Sequence, residues 1–140
     1  MTRLTVKLPW PPSVNTYWRS LRKGPMAGRV LLSADGRAYR KDVAECVLLQ
    51  RIPRHTLSGR LAVWLYCRPP DLRARDLDNL PKGVLDGLKH AGVIADDKFI
   101  DELHVFRLGN RPPVGELDVE IEEIVHSQLG GHQLALGGVA

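Results

Sequence analysis

The stretch Arg75-Asp76-Leu77-Asp78-Asn79-Leu80-Pro81-Lys82 carries the chain from an extended segment into a helix. Leu77, Leu80, Val84, Leu88 and Ala91 recur at helical spacing and predict a helix over about 79–91 with one buried stripe. Pro81 falls in the first turn, where a missing N–H breaks no helix bond. Gly92 supplies the C-terminal stop. Asp76 and Asp78 sit where strand gives way to helix, Lys82 follows in the first turn, and Asp96-Asp97 come after the helix and a short turn. A strand end followed by a helix start can converge two carboxylates on one ion, and the turn after the helix could return Asp96 and Asp97 toward them. Hard divalent cations such as magnesium or manganese bind through carboxylate oxygens. A bound ion of this kind can activate water and neutralise a phosphate.

Each residue also has an ordinary explanation. Asp78, at or near the N-cap, can be a cap alone. Lys82 and Asp86 can be a surface pair, and Asp96-Asp97 a polar turn. Asp78, Lys82, Asp86 and Lys89 share a helical face roughly opposite the apolar stripe. A calcium EF-hand is excluded, because Pro81 and Gly87 stand where its loop needs Gly and Glu.

Upstream, residues 60–68 predict a strand apolar on both faces, with Leu61, Val63, Leu65 and Cys67 on one and Ala62, Trp64 and Tyr66 on the other. Such a strand belongs in the middle of a sheet. Residues 3–8 alternate as a half-buried strand that the Pro9–Pro12 segment ends. Ser13 to Leu32 reads as a long loop, of a length that is usually functional or disordered. Ser33 is a candidate N-cap for a helix over about 34–51, with Tyr39, Val43, Cys46 and Val47 inward and Pro53 as its stop. Downstream, 103–108 reads as a strand, and 116–124 alternates almost perfectly and is expected at a sheet edge. The expected architecture is α+β, a single domain over 1–125 with a small mixed sheet of about four strands and two main helices. A tail over 126–140 follows.

The 140 residues carry 20 Lys and Arg against 16 Asp and Glu, a formal net charge of +4. The distribution says more than the total. Residues 1–75 hold 15 basic against 4 acidic, a net of +11, and residues 76–140 hold 5 against 12, a net of −7. A surface that meets polyanions beside a carboxylate-rich region fits this split. Cys46 and Cys67 lack zinc-ligand or CxxC spacing and fit free thiols. No run is apolar and long enough to span a bilayer, and no signal-peptide layout opens the chain, so the expectation is a cytoplasmic protein without a membrane partner. The five histidines occupy no catalytic motif, and there is no P-loop or GxGxxG.

Together, Pro9-Trp10-Pro11-Pro12-Ser13-Val14-Asn15, the Ser33-Ala34-Asp35-Gly36 helix start, Asp76-Leu77-Asp78-Asn79, Lys82, Asp86, Ala91-Gly92 and Asp96-Asp97 resemble the RusA family of Holliday junction resolvases, from about residue 4 to residue 124. The resemblance implies a magnesium-dependent endonuclease that works as a homodimer. Each subunit would cut one strand of a four-way DNA junction, leaving 5′-phosphate and 3′-hydroxyl ends. By the same resemblance, Asp76, Asp78 and Asp97 match the metal-binding aspartates and Lys82 the catalytic lysine. Asn79, Asp86 and Asp96 match supporting positions.

The basic residues then gain a use. Arg19, Arg22, Lys23, Arg29, Arg37, Arg40, Arg73 and Arg75 are candidates for phosphate contacts, with Arg73 and Arg75 foremost because they adjoin the acidic cluster. Trp10, Tyr17 and Trp18 could stack on unpaired bases. Two other readings stay open: a metal-dependent nuclease for other branched or duplex DNA, and a non-catalytic DNA-binding or packaging accessory protein.

Overall fold

A computed structural model describes residues 3–125, so the tail expected over 126–140 lies outside the described residues. Strand β1 (Arg3–Pro9) leads to a one-turn helix α1 (Val14–Tyr17) and a small hairpin of β2 (Trp18–Ser20) and β3 (Val30–Leu32). Helix α2 (Ala34–Leu49), strand β4 (Arg60–Arg68), a 3-10 turn (Leu77–Asn79) and helix α3 (Pro81–His90) follow. A second 3-10 turn (Asp97–Phe99) opens into β5 (Ile100–Arg107), and β6 (Glu116–Ile124) completes the sheet.

The main sheet runs β1-β6-β4-β5, with β4 and β5 parallel and the other pairs antiparallel. This is the mixed four-stranded α+β architecture expected. The register stacks apolar residues in rows across three strands: Leu4–Ile121–Val63, Val6–Val119–Leu65 and Leu8–Leu117–Cys67. All nine side chains are buried and form one core with Tyr39, Val43 and Val47 of α2 and Val84 and Leu88 of α3. Each large apolar side chain taken out of water contributes about 1.5–3 kcal/mol. Among the described residues, no helix is long and apolar enough to cross a membrane.

Three expectations change. Strand β6 is not an edge: it lies between β1 and β4, and the edges are β1 and β5. Its alternation reports one buried face, which interior and edge strands share. Its outward acids are balanced across the strands, with Arg3 2.7 Å from Glu120, Lys7 3.0 Å from Asp118 and Arg68 2.7 Å from Asp118. The presumed loop 13–32 holds α1 and the β2–β3 hairpin, whose three-residue strands are too short to show a period. Helix α2 stops at Leu49, before Pro53, with Arg51 in a left-handed conformation (φ 56°).

The two main helices touch closely. A Cβ on Gly87 would lie 2.9 Å from Val43 Cγ2, and one on Gly83 would lie 3.0 Å from the Tyr17 ring. The glycine face of α3 thus lets α1 and α2 approach its backbone. At the start of α2, the Ser33 hydroxyl accepts from the Gly36 amide at 3.0 Å and lies 2.8 Å from the Tyr17 carbonyl oxygen. The predicted cap therefore also pins α1 to α2.

Candidate active site

Beyond Arg68 the chain leaves the sheet, turns through Leu77–Asn79 and enters α3 at Pro81, the first helical position. Asp76 precedes the turn in extended conformation, and Asp78 lies within it. Both are exposed, and their carboxylates have no hydrogen-bond or ion-pair partner among the described residues. Asp78 is therefore not the N-cap expected; Leu80 holds that position, and no side chain caps the helix.

Lys82, the second residue of α3, places its ammonium 3.8 Å from Asp97. About two turns further along the helix, Lys89 lies 3.2 Å from Asp96. These two pairs tie α3 to the second 3-10 turn. Asp96 also accepts from the Lys98 amide at 3.1 Å, capping that turn. The Lys98 amide above all, then the adjoining Asp97 and Lys89 side chains, hold its carboxyl at about 2.

Lys82 and Asp97 are thus brought together. Convergence of Asp76, Asp78 and Asp97 on one ion is not formed within this chain: among the described residues, no three His, Cys, Asp or Glu side chains gather into a metal-holding group. Asp76 lies before the first turn, Asp78 inside it, and Asp97 leans across to Lys82. The chemistry of the donor set still suits a hard divalent cation. It is all oxygen, and two of the three carboxylates are unpaired.

Asp86 separates from the face it was assigned to. It accepts two hydrogen bonds from Arg40, at 2.7 and 3.0 Å, and one from the Tyr17 hydroxyl. Burial pushes its carboxyl up, but the Arg40 and Tyr17 hydrogen bonds and the Arg40 charge outweigh that and hold it below the usual range. Burial, and then Asp86, push the Tyr17 hydroxyl well above its ordinary value. Tyr17 is fully buried, so it is not a base-stacking residue, and Arg40 is committed to Asp86 rather than free for phosphate.

The foremost arginines are also engaged. Asp71 takes Arg75 at 2.6 Å and Arg73 at 3.2 Å. The Arg75 hydrogen bond and then the Arg73 amide hold Asp71 well below the carboxylate range. The Arg75 guanidinium lies 5.7 Å from the Trp10 ring centre, and its backbone carbonyl accepts from Arg107. Arg37 donates to the Leu32 carbonyl at 3.0 Å. By contrast, the exposed Arg19, Arg22, Lys23 and Arg29 of the hairpin have no side-chain partner among the described residues. The role of Asp71 was missed, although its i, i+4 spacing to Arg75 was a readable signal. The Tyr17–Asp86–Arg40 contact joins three distant segments and left no local signal.

A cleft of about 430 Å³ opens beside Asp76, between the Trp10–Asn15 segment and the Ala74–Leu80 segment. Neither cysteine serves the site: Cys67 is buried, and burial pushes its thiol up to about 11.

A family model described as "Endodeoxyribonuclease RusA" matches residues 9–122. The crossover junction endodeoxyribonuclease rusA of Enterobacteria phage HK97 is 43% identical over 117 residues, covering 84% of this chain and 92% of that protein. The crossover junction endodeoxyribonuclease RusA of Escherichia coli K12 is 36% identical over 127 residues, covering 89% and 98%. That of Shigella sonnei is 35% identical over the same length.

Proposed function

Because this chain belongs to the RusA family of endodeoxyribonucleases, we propose that it resolves four-way (Holliday) junctions by divalent-cation-dependent hydrolysis of DNA phosphodiesters. The observation that carries this reading is the family match over residues 9–122, which spans every element of the candidate site.

Asp76, Asp78 and Asp97 are the residues that would hold a magnesium ion, with manganese as a substitute. Such an ion supplies a water acidified enough to attack phosphorus and offsets the charge that develops. Lys82 acts beside it as a compact point charge. It donates to a phosphate oxygen or to the departing 3′-oxygen, where negative charge grows in the transition state. Its 3.8 Å separation from Asp97 is long for a hydrogen bond, which leaves the ammonium able to turn toward a phosphate. Arg19, Arg22, Lys23 and Arg29 on the hairpin bind backbone phosphates outside the cut. The protein acts as a homodimer, since two identical sites suit two like strands related by a two-fold axis.

The test uses labelled synthetic four-way junctions and linear duplex of the same sequence, with and without magnesium, read at nucleotide resolution. Paired nicks at symmetric positions with religatable ends are expected. Asp76→Asn, which removes charge and little volume, should lower cleavage at least about a hundredfold while junction binding persists. Equal cutting of duplex, or full cleavage by the Asp76 variant, refutes the assignment.

A further inference from the structure

From the cleft beside Asp76 we infer a nucleobase-reading site, which takes one unpaired base next to the hydrolysed phosphodiester. The inference rests on the nuclease reading above and adds to it the groups that choose the sequence cut. The lining is of two kinds. Trp10, Pro11 and Leu80 are apolar, and Pro11 and Leu80 are buried. Asn15 of α1 and Asn79 of the 3-10 turn line the same space, and neither side-chain amide has a hydrogen-bond partner among the described residues. Each amide offers two donor hydrogens and an acceptor oxygen.

That combination fits a flat, neutral ring with a polar edge. It does not fit a phosphate. The one cation on the lining, Arg75, is held by Asp71 at 2.6 Å, and Asp76 is assigned to the divalent ion, so no free cation is left for an anion. Arg75 lies over Trp10, 5.7 Å from its ring centre, so a planar surface is already organised there. Asp76 belongs both to this lining and to the proposed acidic set, which puts the ligand within one nucleotide of the chemistry. A base can enter only when out of the stack. At a branch point the cost of unpairing is lowest, whereas inside intact duplex it is a real penalty. One cleft therefore favours branched over linear DNA and also ranks sequences.

The experiment is a library of synthetic four-way junctions with all four bases at each position flanking the cut. The library is cleaved in magnesium by the unmodified chain, by Asn15→Ala and by Asn79→Ala. The unmodified chain should rank the bases at one flanking position. At least one variant should compress the ratio between best and worst base by about tenfold or more, the discrimination that a side-chain amide gives at a base edge. The two substitutions lie on separate elements, so a folding defect in one leaves the other informative. The inference is overturned if the unmodified chain cuts all sequences alike. It is equally overturned if both variants keep the original ranking, or lose rate uniformly across the library. Absence of cleavage of any junction by the unmodified chain overturns the nuclease reading as well.

Discussion

Replacing Asp86 by Ala removes the acceptor for both Arg40 hydrogen bonds and for the buried Tyr17 hydroxyl. The Arg40 and Asp86 side chains are 30% and 16% exposed, which places the pair between two known regimes. Fully exposed pairs contribute about 0.2–1 kcal/mol. Breaking a buried pair costs about 3–5 kcal/mol, because the remaining charge is stranded. The expected loss is therefore about 2–3 kcal/mol. For a domain of this size that lowers the melting temperature by roughly 6–12 °C. The assay is thermal and urea unfolding of Asp86→Ala, Arg40→Met and the double variant. Because the contacts are shared, the two losses should not add, and the cycle should give a coupling of about 1 kcal/mol or more. A single variant melting within about 2 °C of the unmodified chain, or additive losses, would show that the triad does not hold α1, α2 and α3 together.

Acid should expose the same carboxylate. The Asp86 pKa is depressed in the folded state, so its contribution is fully present above the unfolded value of about 3.9 and fades as pH falls through the folded value. The stability gap between the unmodified chain and Asp86→Ala should close below about pH 4 and stay constant above about pH 5, in a series of urea titrations. In Gly87→Ala, the added Cβ would stand 2.9 Å from Val43 Cγ2. Overpacking of about 1–3 kcal/mol should outweigh the gain of up to about 1 kcal/mol in helix propensity, so the urea midpoint falls. Neutralising any of Arg19, Arg22, Lys23 and Arg29 that contacts a phosphate should flatten the slope of log affinity against log salt for junction DNA by about 0.9. An unchanged slope after all four are replaced would remove the hairpin from the DNA interface.

The sequence announces long periodic elements and local spacing well, and contacts between segments poorly. The three rows of core residues across β1, β6 and β4 follow directly from the alternation in 3–8, 60–68 and 116–124. The Ser33 cap and Pro81 at the first position of α3 follow from side-chain chemistry alone. The order of strands does not: alternation in β6 records a buried face and is silent about neighbours. Nor does the spacing of Lys82, Asp86 and Lys89 on α3 reveal which are free. Lys82 and Lys89 turn to the Asp96-Asp97 segment, while Asp86 is drawn toward α2 by Arg40. The hairpin was hidden because its strands span three residues each. Arg73 and Arg75 adjoin the acidic cluster in sequence, yet both turn back to Asp71, at 3.2 and 2.6 Å.

β6 comes last among the described strands, yet it fills the middle of the sheet and joins β1 to β4. On the ribosome, all three core rows must wait for residues 116–124 to emerge, since each row has its central member there. A nascent chain therefore cannot seat α3 on a finished sheet ahead of time. A chain cut before residue 116 should therefore fail to unfold cooperatively, because it lacks the central member of every core row.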